Sequence, residues 1–351
     1  MPEALARMST VTSSALPTLS VVMPNYNHGH YLRGALGAIL SQSVRPMEVL
    51  VIDDASTDDS VDIVREIAAH DPVVRLLVNP RNMGPFPTIN RGVQEAAGDF
   101  IYGPAADDQI LPGLFEKSMT LLARNPSAKL CIADLAQFNP VTGRVRYMRP
   151  RFRPDAGFVS RDEVANRMTH HHVHMGGGMT IIDRAAFLEL GGFLPALKWY
   201  GDWFGVLVLA FRHGTCYIPE VLATFRILPG AYSAEATRSH AIQDELFRRI
   251  FDLLRSEPYA DVWAPISESA ALCLLGSQIL RVLLTDSRYR DILSPRLLAR
   301  LLANIPVTIL GLNPATESPL RFLDRAVRTL LGLDGSIRQY GVPLDKPGER
   351  A

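Results

Sequence analysis

Apolar positions in the first hundred residues switch repeatedly between two periods. Leu19-Ser-Val-Val-Met23 is a short β-rich run ended by Pro24, and Leu32, Ala35, Leu36, Ile39 and Leu40 then recur at helical spacing. This predicts strand, loop, helix. A second strand, Glu48–Ile52, stops at Asp53-Asp54, and Val61, Val64, Ile67 and Ala68 mark the next helix. Ser56, three residues ahead of Asp59, predicts a capping box at its start. Val73–Val78 reads as a third strand, Thr88–Ala97 as a helix, and Phe100–Tyr102 as a fourth strand leading into Ala105-Ala106-Asp107-Asp108.

Strands alternating with helices imply right-handed crossovers and a mostly parallel sheet covered by helices, with ligands bound at the carboxyl ends of the strands. Asn25–Asn27, Asp53-Asp54 and Asp107-Asp108 all fall at those ends. Near residue 128 the alternation stops. Lys129–Leu135 and Val145–Met148 flank Asn139-Pro-Val-Thr-Gly143, whose turn chemistry predicts a hairpin. After Gly176-Gly-Gly178 the pattern predicts a strand at Met179–Ile182 and a helix over Arg184–Leu190. Another helix over Asp202–Arg212 has an expected inward stripe of Trp203, Leu207, Ala210 and Phe211. From about His240 onward the chain reads as helical, with breaks near Pro258, Pro295, Pro306 and Pro319.

Composition narrows the classes. Hydrophobic residues are 47% and charged residues 21% of 351, ordinary globular usage. Lys+Arg and Asp+Glu both number 36, so no net field recommends nucleic acid as a partner. Cys131, Cys216 and Cys273 are scattered without CxxC spacing, which argues against a disulfide framework or a zinc site and for a reducing, cytoplasmic setting. Met1–Thr18 has no apolar run like a signal peptide and reads as a flexible leader. No apolar stretch reaches the ~20 residues of a membrane span: Ala270–Leu284 is interrupted by Gln278 and Arg281, and Ile305–Leu312 is short. The amphipathic stripe Leu297, Leu298, Leu301, Leu302 and Ile305 beside Arg296 and Arg300 suits core packing, or peripheral contact at the inner face of a membrane.

Two acidic pairs at strand ends would repel unless a cation or ligand donors sat beside them. Adjacent carboxylates suit Mg²⁺ or Mn²⁺, which take one or two carboxylates together with substrate phosphates. Each pair by itself also suits helix capping. His170, His171, His172 and His174 lack metal-site spacing and read as a loop, with His172 or His174 as a candidate contact to an acceptor or diphosphate. No GxGxxG follows the first strand, which disfavours a dinucleotide-dependent dehydrogenase. Pro24–His30 is not the Gly-rich basic loop of a nucleotidyltransferase.

The order of these pieces resembles glycosyltransferase family 2. Ser20-Val-Val-Met-Pro-Asn-Tyr-Asn27 is similar to the family's opening strand and loop, and Glu48-Val-Leu-Val-Ile-Asp-Asp-Ala-Ser-Thr-Asp58 to its second-strand signature. Asn79-Pro-Arg-Asn-Met-Gly84, Asn90 and Ala97-Gly98-Asp99-Phe100-Ile101 follow the intermediate pattern. Ala105-Ala-Asp-Asp108 stands where the family has its DXD metal motif, followed by Leu111-Pro112-Gly113. Gly191-Gly192-Phe193 and Gly201-Asp202-Trp203 extend the likeness, which covers roughly residues 19 to 235.

The resemblance implies a GT-A fold: a Rossmann-like, mostly parallel sheet flanked by helices, with an acceptor-side extension and a helical C-terminal region. Its parts would be a leader (1–18), a nucleotide-sugar-binding α/β half (19–110), an acceptor-binding half with the catalytic base (111–235) and the helical region (236–351). It implies an inverting, metal-dependent transfer from a UDP-sugar first, or a dTDP-sugar second, to a hydroxyl of a saccharide or lipid-linked acceptor in cell-surface polysaccharide or glycolipid synthesis. Asp202 would be the base, held at a helix N-terminus that favours its charged form. Pro24, Tyr26, Asn27, Asp53, Asp54 and Asp107 would meet the donor nucleotide, with Tyr26 against the base and Asp53 accepting its ring N–H. Asp107 and Asp108 would hold Mg²⁺ or Mn²⁺, and His172, His174, Trp203 and Arg226, the last near Tyr232-Ser233, would meet acceptor or diphosphate. Two departures stand out: Ala105 replaces the first acid of the metal motif, and Gly201 the acid usually paired with the base. They motivate a rival reading, a nucleotide-sugar-binding scaffold without activity.

Overall fold

The computed structural model describes residues 16–171, 173–228, 239–276 and 278–303. His172, Tyr232-Ser233, Pro306, Pro319, Ile305–Leu312 and most of the leader lie outside the described residues.

Strands β1 (Leu19–Asn25), β2 (Glu48–Asp53), β3 (Val74–Val78) and β4 (Phe100–Tyr102) run parallel in the order β3-β2-β1-β4. Helices α1 (Gly29–Leu40), α2 (Ser60–His70) and α3 (Pro85–Glu95) connect them. The strand period of two divides the core. Val21, Met23, Val49 and Val51 pack with Leu32, Leu36 and Val64 of α1 and α2, whereas Val22, Leu50 and Ile52 meet Ile89 and Val93 of α3.

After β5 (Gln109–Ile110) and α4 (Leu114–Arg124), β6 (Leu130–Phe138) and β7 (Val145–Met148) form the expected hairpin. Then follow β8 (Gly157–Val159), α5 (Arg161–His170), β9 (Thr180–Asp183), α6 (Arg184–Glu189), α7 (Gly201–His213) and β10 (Thr215–Arg226). The full order is β3-β2-β1-β4-β9-β6-β10-β5, with β7 on β6 and β8 on β10. The parallel sheet expected from the alternation is the half made of β1 to β4. In the other half β9 is antiparallel to both neighbours, while β10 runs parallel to β6.

Three local expectations change. No capping box forms at Ser56: α2 has Asp59 at its N-cap, and Ser56 instead donates its Oγ to Asp53. The capping box is at Ser160 and Glu163, opening α5. Helix α7 is buried all along Trp203–Phe211 rather than on one stripe, because the sheet packs on one side and further helices on the other. The twelve-residue β10 had no counterpart in the pattern. Pro219 interrupts its run, and the register against β6 shifts between Ile218 and Val221, so the strand accommodates the proline at a bulge.

Helices α8 (His240–Arg255), α9 (Ala260–Glu268), α10 (Ile279–Thr285) and α11 (Pro295–Ala303) follow, α9 packing on α7 and α8 on α9 and α10. Phe247, Ile250, Phe251, Leu254, Val262 and Ile266 join the same core as Val22 and Leu50. In α11, Leu297 and Leu301 are each 1% exposed, so these stripe positions are spent on core packing. No helix among the described residues is long and apolar enough to cross a membrane.

Candidate active site

The site is built from loops at the carboxyl ends of β1, β2, β4 and β10. Asn25 and Asp53 end β1 and β2 in register. The Asp53 carboxylate is held by three donors: Ser56 N–H on Oδ1 at 2.8 Å, Ser56 Oγ on Oδ2 at 2.6 Å, and Asn25 Nδ2 on Oδ2 at 2.9 Å. A carboxylate oxygen has about two acceptor sites, so Oδ1 keeps one for a further donor. The turn around it is tight, with Asn27 and Ala55 at φ of 55° and 63°, a region costly for alanine. Asn27 fastens the two loops together: its Oδ1 accepts Thr57 N–H at 2.7 Å, and its own N–H donates to Ser56 Oγ at 2.9 Å. Pro24 lies inside β1 opposite Ile52. Tyr26 projects outward, 43% exposed.

Asp54 behaves differently from its neighbour. It accepts from Asn79 Nδ2 at 2.6 Å, Met83 N–H at 2.9 Å and Gly84 N–H at 2.8 Å. Its buried carboxylate anchors the Asn79–Gly84 loop, which leaves it an indirect part in any donor site.

The loop after β4 carries the second acidic pair. Arg226, the last residue of β10, donates Nε to the Asp107 carbonyl at 2.8 Å and its own N–H to Asp108 Oδ1 at 3.3 Å. The Arg226 guanidinium stands 5.1 Å from the centre of the Tyr31 ring, and His28 Nδ1 is 4.0 Å from Asp107 Oδ1. Burial, and then the charge of Asp107, push the Asp108 carboxyl well above the usual range, against the Arg226 N–H. Two carboxylates forced together with so little direct compensation are suited to a hard divalent cation. Among the described residues no three His, Cys, Asp or Glu side chains group to hold a metal. A cation here would therefore have two protein ligands and complete its shell with water and phosphate oxygens.

Asp202 stands in the first turn of α7, as expected. Its Oδ2 accepts Gly177 N–H at 2.9 Å and its Oδ1 accepts Trp203 N–H at 2.7 Å, which fixes its orientation. The glycine strip before β9 links it to the acidic pair. A Cβ added at Gly177 would lie 3.5 Å from Asp202 Oδ2, and one at Gly178 would lie 3.8 Å from Asp108 Oδ2. With successive Cα atoms ~3.8 Å apart, the two carboxylates lie within roughly 14 Å of each other. Tyr102 OH donates to the Gly178 carbonyl at 3.1 Å and steadies the strip.

His174 completes this corner. A Cβ at Gly176 would sit 3.3 Å from Asp202 Oδ2 and 3.5 Å from His174 Nε2, so glycine there lets the two groups close in. Burial lowers the His174 pKa, the Asp202 charge opposes that, and Arg146 adds to it, which leaves the imidazole neutral at neutral pH. Trp203 is 5% exposed, packed beside Tyr200 at the inward position that its helical stripe predicts.

Packing explains one departure from the expected motif. A Cβ at Gly201 would meet Phe86 Cε2 at 2.7 Å and the Leu194 carbonyl oxygen at 3.1 Å, so an acidic side chain has no room there. Gly201→Glu is expected to destabilise the fold by about 2 kcal/mol or more, read by urea unfolding, rather than to add a site contact.

Sequence reasoning missed His28 and Tyr31, which reach Asp107 and Arg226 only because β10 ends beside the start of α1. It also missed the Gly177 N–H, a backbone donor for which the triple glycine was the available signal.

Residues 20–191 match the profile of glycosyl transferase family 2. The chain carries a glycosyltransferase family 2 domain. A Haemophilus influenzae protein described as an uncharacterized glycosyltransferase is 36% identical over 110 residues, 31% of this chain and 44% of its own length. Matches to three curated relatives span 44%, 33% and 52% of those proteins. Residues 1–349 of Staphylococcus aureus TarS, solved with UDP-GlcNAc, superpose with a TM-score of 0.59 at 17% identity, over 95% of this chain and 98% of that one. The mannosyltransferase PcManGT of Pyrobaculum calidifontis, solved with GDP-Man and Mn²⁺, gives 0.50 at 19% identity, over 92% and 89%. At these identities the two structures establish a shared fold, the GT-A arrangement that the family 2 domain adopts here.

Proposed function

We propose that the protein is an inverting glycosyltransferase that moves a sugar from a nucleoside-diphosphate sugar to a hydroxyl of a saccharide or lipid-linked acceptor. The observation that supports this reading is that Asp202 and Asp108 lie beside consecutive residues of one glycine strip, with an exposed aromatic and a buried carboxylate at the adjoining strand ends. One carboxylate can take a proton on the acceptor side while the pair opposite serves the departing nucleotide.

Tyr26 offers a ring for base stacking, worth about 1–3 kcal/mol. The free acceptor site of Asp53 Oδ1 suits the imide N–H of uracil or thymine, which ranks a UDP-sugar first and a dTDP-sugar second. Asn27 ties the two loops beside Asp53 together, Pro24 precedes them in β1, and Asp54 anchors the Asn79–Gly84 loop next to them. Asp107 and Asp108 would hold Mg²⁺ or Mn²⁺, which supplies positive charge where the diphosphate becomes more negative. Arg226 uses Nε on the Asp107 carbonyl, so its remaining N–H groups are available to the diphosphate. Asp202 accepts the proton of the attacking hydroxyl as the anomeric centre inverts in one displacement. His174, neutral beside it, orients the acceptor hydroxyl without competing for that proton.

A thermal-shift panel of UDP, GDP, dTDP and CMP, with and without Mn²⁺, tests the donor site. Saturation at about a hundred times Kd adds ~2.7 kcal/mol and a shift of a few degrees. The expected result is a Mn²⁺-dependent response to UDP or dTDP that Asp53→Ala abolishes. Silence towards every nucleotide would overturn the reading, and binding without turnover on any acceptor would mark an inactive scaffold.

A further inference from the structure

The chain has no net charge, yet Asn139–Pro154 holds Arg144, Arg146, Arg149, Arg151 and Arg153 with no acid and no lysine. Arginines elsewhere are commonly paired: Arg33 with Glu66, Arg255 with Asp291 and Arg281 with Asp244 all make close ion pairs. In the basic segment, by contrast, Arg149 alone among the described residues approaches a carboxylate, Asp134, and at 3.6 Å. All five arginines are exposed. Charge of one sign left uncompensated on one surface attracts anions.

The segment is also shaped. Arg149, Arg151 and Arg153, with Phe152 and Pro154, border a recess of about 530 Å³ whose other walls are Asp134, Tyr217 and Pro219. Its floor is rigid. Tyr217 OH donates to Asp134 Oδ1 at 2.7 Å and accepts Arg151 N–H at 3.1 Å, and Arg153 Nη1 donates to the Phe158 carbonyl at 2.7 Å. Three guanidinium groups against one buried carboxylate leave the recess net positive. Beside it, Tyr147 is 56% exposed and its ring lies 4.6 Å from the Arg149 guanidinium, a face on which a sugar ring can rest.

The sheet register connects this recess to the site. Val145, at the start of β7, pairs with Phe138, and Phe138 pairs with Arg226, the residue that holds the Asp107-Asp108 loop. Strands ~4.8 Å apart put the start of β7 about 10 Å from Arg226 along the backbone ladder. Arg146 lies close enough to His174 for its charge to be felt there. Arg149 then falls about 13 Å further along the edge.

We propose that β7 and the arginine-lined recess beyond it form a track that binds a polyanionic saccharide, so that an acceptor chain bearing repeated carboxylate or phosphate groups presents its end to Asp202. This rests on the transferase reading for the role of the bound chain, but not for the binding itself. A concave recess with an aromatic platform suits a saccharide chain, whereas a membrane surface asks for a flat or convex basic face.

The test uses the full chain and a fluorescently labelled oligogalacturonate of about ten units, followed by anisotropy at low and physiological salt, with labelled neutral dextran of equal length alongside. The expected result is binding of the polyanion over the neutral chain, weakened by salt, and a loss of about tenfold or more in Arg151→Glu/Arg153→Glu. The variant should keep the wild-type response to nucleotide and Mn²⁺, which shows that it is folded. Equal binding of oligogalacturonate and dextran by the wild type would overturn the track. So would binding to phosphatidylglycerol vesicles without binding to the soluble polyanion, which would assign the arginines to a lipid surface. If the wild type binds the polyanion but no nucleotide, the transferase reading fails and the track stands.

Discussion

Asp202→Asn is expected to lower sugar transfer by about 10²–10⁴-fold, the usual contribution of a general base, while the response to nucleotide and Mn²⁺ stays at the wild-type level. The substitution keeps the size of the side chain and removes its ability to take a proton. It also leaves a local mark. Asp202 accepts from Gly177 N–H and Trp203 N–H on separate oxygens, and an amide can present only one oxygen, so one N–H would face an NH₂ group. The Gly177 contact is across the site and lies farther, at 2.9 Å against 2.7 Å, so the glycine strip is where the strain should appear. Single-turnover measurements separate the outcomes. Loss of the chemical step with donor hydrolysis and nucleotide binding retained assigns the proton to Asp202, whereas normal turnover would remove it from the role.

Asp108→Asn is expected to cut metal-dependent turnover by about 10²–10³-fold and at the same time to leave the ligand-free protein as stable as before, or more so. The sign follows from the raised pKa of this carboxyl in the folded chain. Below the ordinary carboxylate range both folded and unfolded states are protonated and nothing is lost. As pH rises through that range the unfolded state releases its proton first, so folding loses stability until the folded carboxyl ionises too. An amide carries no such penalty, and it also removes the repulsion with Asp107. Thermal unfolding at pH 4 and pH 7, without nucleotide, reads the effect: the variant should gain on the wild type mainly at the higher pH. Asp107→Asn should show the same loss of turnover. Full activity of both variants with EDTA present would exclude a metal role for the pair.

These expectations stand on different footings. The half made of β1 to β4 was legible because its strands are short, separated by helices of regular period, and ended by polar clusters; the Asp53 and Asp107 loops followed from that pattern alone. Asp202 at a helix start was legible as well. The roles within each acidic pair were not. Asp53 and Asp54 are adjacent and chemically identical, yet the turn through Ala55 leaves one with an acceptor site free and commits the other to Asn79, Met83 and Gly84.

Local sequence determined what depends on near neighbours: the periods of β1 to β4 and their helices, the turn between β6 and β7, and the polar residues that strand ends present. The tertiary structure decided what depends on contacts distant in the chain. It placed β10 beside β6 despite Pro219, and so carried Arg226 to Asp107 across 119 residues. It set the glycine strip beside Asp202 and Asp108, packed Phe86 and Leu194 tightly against Gly201, and gathered the arginines that follow β7 around Asp134 and Tyr217. A hydrophobic period reports which face of an element is buried, but not which other element buries it, and a site assembled from four strand ends is specified by that second choice.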